Sequence, residues 1–143
     1  MTNKVTLAES DEEILNCFSV LADLRPHVAP EEFLPRCTRQ REISNYRLAY
    51  LFDGEVKAVA GFRIAEWLAS GKFMEIEDFA SKDGERSKGY GGALFDWLVE
   101  YAREENCRQI KLVSRVTRFD AHRFYLRKRM NIEAHYFTLD LQN

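Results

Sequence analysis

The chain has 143 residues, of which 45% are apolar and 31% charged, and its formal net charge at pH 7 is −2. This length and composition are typical of one globular domain, which we expect to span residues 1–143. The small net charge argues against a dedicated nucleic-acid-binding protein. No segment is long and apolar enough to cross a membrane, and the acidic residues at positions 9–13 are atypical of a secretion signal.

The three cysteines, Cys17, Cys37 and Cys107, are scattered along the chain and do not have the spacing of metal ligands. We therefore expect free thiols, no bound metal and a cytoplasmic location.

The first half of the chain predicts a strand over Lys4–Leu7 and two helices. Ser10 and Glu13 have the spacing of a capping box, and apolar residues follow at helical intervals. A second helix is expected over residues 30–40, although Pro35 in its middle disfavours it.

An antiparallel meander is expected next. Residues 46–52 form an apolar run, Asp53-Gly54 is a strong signal for a two-residue hairpin, and residues 56–64 alternate on the return strand. A third long strand over Phe73–Ser81 leads directly into a glycine-rich segment.

The second half of the chain predicts a helix after that segment, because apolar residues recur at i, i+3, i+4 and i+7 from Leu94. A short strand over Ile110–Val113 then requires a parallel crossover. A last helix over residues 118–129 and a strand over Tyr136–Leu141, which closes the sheet, complete the pattern. The expected fold is α/β (mixed α+β), with a mixed, mostly antiparallel central sheet flanked by about four helices.

The segment between the third long strand and the following helix reads Arg-Ser-Lys-Gly-Tyr-Gly-Gly over residues 86–92. Its glycines leave backbone N–H groups uncovered by side chains, and the helix that follows directs its positive end at the loop. Arg86 and Lys88 add two positive charges. This segment is suited to bind a phosphorylated ligand, and a pyrophosphate in particular.

Residues 108–129 form a basic segment, which contains eight Lys and Arg residues and a single acidic residue, Asp120. It is either a solvated helix face or part of the same anion site, with nucleic acid a more distant alternative.

Two motifs at the right separation resemble those of the GCN5-related N-acetyltransferases (GNAT). Ile76–Ser81 followed by Arg86-x-x-Gly89-x-Gly91 is similar to the strand and phosphate loop of that family, and Ala121–Tyr125 is similar to its later helix. The order of strands and helices also matches, so the resemblance covers nearly the whole chain.

The resemblance implies acetyl-CoA as the acetyl donor, bound without a metal. By this resemblance the pantetheine arm pairs with the backbone of the third long strand, where a local bulge leaves an N–H near Phe79 to donate to the thioester carbonyl. Arg118 stands where relatives often have an asparagine that binds CoA. The residues assigned to CoA are Phe79, Ala80, Ser81, Arg86, Ser87, Lys88, Gly89, Tyr90, Gly91, Gly92 and Arg118.

Tyr125 matches the family tyrosine beside the CoA sulfur, where its phenol would protonate the departing thiolate. From its position alone, it is more often a core residue.

The attacking amine must lose a proton, and Glu77 is the first candidate for the base, on the strand beside the thioester. Strand alternation puts Glu75 on the same face and Asp78 on the other. A water relay, or His122, remains an alternative, and these acids are equally compatible with a merely polar strand face.

The sequence thus predicts an enzyme that transfers the acetyl group of acetyl-CoA to a primary amine of a small molecule or peptide by direct attack. The alternative is a non-catalytic acyl-CoA-binding sensor. No nucleic-acid or membrane partner is expected. The identity of the amine and the association of two copies into a homodimer are left undecided.

Overall fold

Alternating apolar runs form one sheet in the computed structural model, which describes residues 4–82 and 88–142. Neighbouring strands from β1 to β4 are antiparallel. In the order β1-β2-β3-β4-β5 the strands of the described residues are Lys4–Leu7, Arg47–Phe52, Val56–Trp67, Gly71–Ser81 and Gln109–Leu112.

The turn between β2 and β3 follows the Asp53-Gly54 signal but is one residue longer than expected. Phe52 pairs with Val56, so the loop contains residues 53–55, and the Asp53 N–H donates to the Glu55 carbonyl at 2.9 Å. Gly54 has a φ of +77°, which a residue with a side chain rarely adopts. The hairpin itself is confirmed.

Four helices are present in the described residues: α1 Asp11–Leu21, α2 Pro30–Ser44, α3 Tyr90–Glu104 and α4 Phe119–Arg127. The capping box of α1 forms as predicted, with Ser10 and Glu13 each accepting from the other's backbone N–H at 3.1 Å. The helix α2 includes Pro35 and ends four residues beyond the predicted end at residue 40. It continues past Pro35 because the missing proline N–H removes only one of its hydrogen bonds.

The chain forms two compact units, Met1–Lys111 and Leu112–Asn143. In the first, alternation along β3 directs Val59 toward α1 and α2, where it joins an apolar cluster with Cys17 and Phe33. Alternation directs Phe62 of the same strand to the opposite face. There its ring packs edge-on against the ring of Tyr101 of α3, with the ring centroids 5.7 Å apart. The expected mixed α/β fold is therefore confirmed.

The expected last strand is wrong. Within the second unit, residues 131–142 have no helix or strand, and every one of them is exposed. The alternating pattern of Tyr136–Leu141 is real, but a strand also requires a neighbour to accept and donate its backbone hydrogen bonds. No strand of the described residues supplies that neighbour.

Candidate active site

A bulge interrupts the pairing of β3 and β4 close to the position expected from the resemblance. Gly61 pairs with Asp78 while Phe62 pairs with Ile76, so Glu77 is an extra residue on β4. The bulge lies two residues before Phe79. Because an extra residue breaks strict alternation, Asp78 faces the same side of the sheet as Glu77, and the expectation that it faces the other side is wrong.

Two side chains from distant parts of the chain bind the bulge. Arg25, which follows α1, donates from Nε to Asp78 Oδ1 at 2.8 Å and from a terminal nitrogen to the Glu77 carbonyl at 2.9 Å. Tyr46 donates its hydroxyl to Asp78 Oδ2 at 2.5 Å. Burial, and then the Asp78 charge, hold the pKa of Tyr46 well above its ordinary value, so the hydroxyl remains a donor. We refer to Arg25, Tyr46 and Asp78 as the bulge clamp.

The bulge clamp requires a glycine on the neighbouring strand. A Cβ atom at Gly61 would lie 1.8 Å from the Tyr46 hydroxyl oxygen and 2.8 Å from Asp78 Oδ2. The absence of a side chain at this position therefore lets Tyr46 reach Asp78. A glycine inside a strand pattern signals close approach of another group, and this was the one local sign of the clamp.

Glu77, the first candidate for the base, is held in an ion pair. Arg63 of β3 donates to Glu77 Oε1 at 2.7 Å, and its Nε also contacts the other carboxylate oxygen. Arg63 further donates to the Gln40 side chain at 3.2 Å and to the Ser44 hydroxyl. These contacts fix the position of the Glu77 side chain.

Glu75 lies on the same face of β4, directly across from Arg63. Within the described residues no hydrogen bond or ion pair reaches its carboxylate. Burial, followed by the charge of Glu77, raises the pKa of Glu75, while the charges of Arg63 and Lys111 oppose this shift. A raised pKa brings a carboxylate closer to the proton affinity that general base catalysis needs.

The second half of β4 contains the residues assigned to the pantetheine arm. Phe79 packs against Phe95 of α3, with ring centroids 6.2 Å apart. Ala80 and Ser81 pair with β3, so this side of β4 is covered. On the other side, β5 has four residues against the eleven of β4, and the pairing begins where the Arg108 N–H donates to the Lys72 carbonyl at 2.7 Å. β5 is therefore too short to cover β4 as far as Ser81.

The glycine-rich segment enters α3 as expected. Gly89 is the residue before the helix, with a φ of +81°, and a Cβ there would meet nothing within 4 Å. No side chain caps α3, and its first turn contains no acidic residue. Arg86 and Ser87 lie outside the described residues, whereas Lys88 is exposed.

The remaining members of this segment begin α3. Gly91 and Gly92 lie in its first turn. The Tyr90 side chain is buried and donates its hydroxyl to Asp53 at 2.6 Å, which ties α3 to the β2–β3 hairpin. Any contact of Tyr90 with a ligand would therefore involve its backbone.

The second unit contains Tyr125, which lies on α4, and Arg118, which stands at the start of that helix. Tyr125 is buried, and burial raises its pKa, while the charge of Arg118 opposes this shift. Arg118 is exposed and stands immediately before the first residue of α4. His122, the minor candidate for the base, has Nε2 2.8 Å from the Arg115 carbonyl oxygen, so this nitrogen donates to the backbone.

The cysteines are free, and none has the character of a nucleophile. Burial raises the pKa of Cys17 to about 12 and that of Cys37 to about 11. Burial also raises the pKa of Cys107. A protonated thiol attacks poorly.

Among residues 4–82 and 88–142, no cluster of three or more His, Cys, Asp or Glu side chains is arranged to hold a metal ion. None of the helices in those ranges has the length and apolar character of a membrane span.

Comparison with known proteins identifies a family over most of the chain. Residues 11–130 match the model of the Acetyltransferase (GNAT) family. The chain is 30% identical over 130 residues to an uncharacterised N-acetyltransferase, YhdJ, of Bacillus subtilis (strain 168), covering 90% of this chain and 92% of that protein. It is 33% identical over 85 residues to the aminoalkylphosphonate N-acetyltransferase of Salmonella typhimurium (strain LT2), covering 59% of this chain and 54% of the other.

Solved structures have the same fold. A GNAT family acetyltransferase from Staphylococcus aureus superposes with a TM-score of 0.81 at 20% identity, covering 99% of this chain and 100% of the other. An aminoglycoside N-acetyltransferase in complex with CoA also superposes with a TM-score of 0.81, at 11% identity, covering 99% of this chain and 98% of the other.

Proposed function

The chain belongs to the GNAT acetyltransferase family, and from this premise we propose that it is an N-acetyltransferase. The proposed reaction transfers the acetyl group of acetyl-CoA to a primary amine of a small molecule or peptide. The observation that carries the proposal is the bulged strand β4, with acidic side chains at the bulge, followed by an uncapped glycine turn at the start of α3.

The start of α3 fits the diphosphate of CoA. The positive φ of Gly89 and the open space where its Cβ would stand leave room for a ligand against the backbone. Because no carboxylate occupies the first turn of α3, the partial positive charge of the helix end can act on an anion. We propose that Lys88, Gly89, Tyr90, Gly91 and Gly92 contact the diphosphate, together with Arg86, Ser87 and Arg118.

The edge of β4 fits the pantetheine arm. Because β5 is too short to cover β4, an extended ligand can lie alongside Phe79, Ala80 and Ser81 as an added strand. The bulge at Glu77 redirects the strand just before these residues. We propose that the backbone near Phe79 donates to the carbonyl oxygen, where negative charge develops.

Acetyl-CoA supplies a thioester carbonyl and a thiolate leaving group. Attack by the neutral amine forms a C–N bond and breaks the C–S bond, so one proton leaves nitrogen and one is delivered to sulfur. Tyr125 is proposed to deliver the second proton. Its raised pKa keeps the phenol protonated at neutral pH, as a general acid requires.

We propose Glu75, rather than the first candidate Glu77, as the group that takes the proton from the amine. Both carboxylate oxygens of Glu77 contact Arg63, so they are less free to meet an incoming amine. Glu75 is half-buried and has a raised pKa. Glu77 remains the alternative base. Separate Glu75→Gln and Glu77→Gln variants distinguish the two candidates.

The amine itself is proposed only as a class. The acidic side chains of β4 would attract a cationic acceptor. The name of the Salmonella relative adds aminoalkylphosphonates to the polyamines, amino sugars and peptide N-termini that deserve testing.

Two further proposals concern the domain organisation and the cellular location of the protein. The family match runs across the boundary between the two compact units, which supports the proposal that residues 1–143 act as one acetyltransferase domain. The free cysteines support a cytoplasmic location.

The proposed activity is tested by measuring thiol release from acetyl-CoA in the presence of a panel of amines. We expect amine-dependent release, and a drop in kcat of about 100-fold in Tyr125→Phe from the loss of a general acid. Tyr50→Phe is the matched control, because Tyr50 donates to Glu13 on the α1 side of the sheet and plays no part in the proposed chemistry.

Calorimetric titration with CoA separates the two candidate functions. CoA binding without transfer to any amine would favour the sensor. Absence of CoA binding would contradict both.

A further inference from the structure

A lysine on β5 is held against two aromatic side chains. The Lys111 ammonium nitrogen lies 3.5 Å from the centroid of the Trp67 ring and 4.4 Å from that of the Phe73 ring, and it donates to the Ser70 hydroxyl at 2.7 Å. We refer to Trp67, Ser70 and Phe73 as the lysine cage. Because an ammonium is attracted to the faces of aromatic rings, the lysine cage fixes a side chain that is otherwise flexible.

The charge of Lys111 is held without a counter-ion. Within residues 4–82 and 88–142, no carboxylate forms an ion pair with its ammonium, and neither the hydroxyl nor the rings of the lysine cage carry a formal negative charge. Lys111 is only partly buried, and Trp67 is 53% exposed, so the lysine cage opens to solvent. A fixed and accessible ammonium of this kind is suited to bind an anionic group of a ligand.

The lysine cage adjoins Glu75, the proposed base. Phe73 and Glu75 are two residues apart and precede the bulge, so strand alternation puts both on the same face of β4. Two residues along a strand span about 7 Å. Burial has the largest effect on the pKa of Glu75, which it raises, and the charge of Lys111 is among those that oppose this shift. A negative and a positive group therefore lie side by side on this face.

The other cations that contact this part of β4 are already paired. Arg63 donates to the Glu77 carboxylate at 2.7 Å, and Arg25 donates to the Asp78 carboxylate at 2.8 Å. Of these three cations, Lys111 alone has no carboxylate partner among the described residues. It is the one whose charge is left for a substrate.

We propose that the acceptor is a zwitterionic small molecule, whose amine meets Glu75 and whose anionic group, a carboxylate or a phosphonate, binds Lys111. This inference rests on the proposed function and narrows its class of amines. A spacer of roughly two carbon atoms between amine and anion suits groups separated by two strand positions. A polyamine fits poorly, because its second ammonium would lie against the Lys111 charge.

The first experiment compares short amines as acceptors in the thiol-release assay, with the intact protein and saturating acetyl-CoA. The anionic amines are 3-aminopropanoate and 2-aminoethylphosphonate, and the amines without an anion are 3-aminopropanol and 1,3-diaminopropane. We expect kcat/KM for the better anionic amine to exceed that for 3-aminopropanol by about 10- to 100-fold, as a hydrogen bond to a charged partner allows. The value for 1,3-diaminopropane should be the lowest. The anion with the higher kcat/KM identifies the preferred group.

Lys111→Met tests the residue itself. Methionine keeps an unbranched apolar side chain against the rings and removes the charge, so the ratio of kcat/KM for the anionic amine to that for 3-aminopropanol should fall to about one. Because the ratio compares two amines on one variant, an indirect effect of the lost charge on Glu75 cancels. Lys111→Arg, which restores the charge, should recover part of the ratio.

Lys72→Met is the matched control. Lys72 directly precedes Phe73, so alternation puts it on the opposite face of β4, and its loss should leave the ratio intact. Circular dichroism checks that each variant is folded, and the comparison of amines on the unchanged protein needs no variant.

Three results would overturn the inference while leaving acetyl transfer in place. They are equal kcat/KM values for the anionic amines and 3-aminopropanol in the unchanged protein, the highest value for 1,3-diaminopropane, and a preference for the anion that persists in Lys111→Met. Loss of the preference in Lys72→Met as well would indicate a general effect of charge and would also count against Lys111. Binding of CoA without transfer to any amine is a different result, because it contradicts the proposed function and the inference together.

Discussion

At the scale of single residues, the two acidic side chains of β4 that were candidates for the base differ in their neighbours. Glu77 is bound by a guanidinium, whereas Glu75 is partly desolvated and accepts no hydrogen bond from the described residues. Their positions in the sequence are equivalent, two residues apart on the same face. What differs is that Arg63, fourteen residues before Glu77, binds the Glu77 carboxylate, whereas burial raises the pKa of Glu75.

The pH dependence of kcat/KM distinguishes these two carboxylates. A base works only when deprotonated, and a raised pKa means that Glu75 stays protonated to a higher pH than an ordinary glutamate. Activity should therefore fall as the pH drops through a value above 4.5, the ordinary pKa of glutamate. Glu75→Gln should lower kcat/KM by about 100-fold or more and abolish this acidic limb.

Glu77→Gln is the matched comparison, since it makes the same chemical change on the same face. It should retain the acidic limb. If the limb disappears in Glu77→Gln and persists in Glu75→Gln, then Glu77 is the base and the assignment of Glu75 is wrong.

At the scale of elements, the bulge on β4 depends on partners from the segment after α1, from β3 and from the segment before β2. A bulge leaves backbone groups without their strand partners, and Arg25 satisfies one of them by donating to the Glu77 carbonyl. Tyr46 and Arg25 together occupy both oxygens of Asp78. The clamp thus gives a local irregularity of the sheet a defined geometry.

Gly61→Ala should lower the free energy of unfolding by about 2–3 kcal/mol, because the new methyl group would overlap the buried Tyr46 hydroxyl. Thermal or urea unfolding measures the loss. The reason is tested with Tyr46→Phe, which removes the nearest atom that the methyl group would meet, the hydroxyl oxygen at 1.8 Å, and leaves the ring carbon at 2.5 Å. The double variant should be clearly more stable than the sum of the two single changes predicts. Simple additivity would show that Gly61 matters for another reason.

At the scale of the whole molecule, a ligand that binds only the folded chain must raise its stability. CoA at about 100 times its Kd should add about 2.7 kcal/mol, which corresponds to a rise in Tm of roughly 5–10 °C for a chain of this size. Scanning calorimetry measures the shift. Pantetheine, which has no diphosphate, is the control ligand, and an equal shift at equal concentration would contradict a site centred on the glycine turn.

The C-terminal segment also belongs to this scale. Residues 136–141 have the alternation of a strand, yet the described structure gives them no neighbour. Whether such a segment becomes a strand depends on a free strand edge elsewhere, with which its backbone can form hydrogen bonds. This is why the prediction of a closing strand failed.

Local sequence patterns were enough to predict the order of strands and helices as far as α4, the cap at Ser10, the hairpin at Asp53-Gly54 and the glycine turn before α3. Each of these depends on residues within a few positions of one another, where periodicity and backbone preference act. Three-dimensional packing was needed to place the bulge at Glu77, to form the clamp around Asp78 and to give Glu75 and Glu77 different environments. Arg25 and Tyr46 lie 53 and 32 residues from Asp78, and contacts over such distances depend on the packing of the whole sheet against α1 and α2.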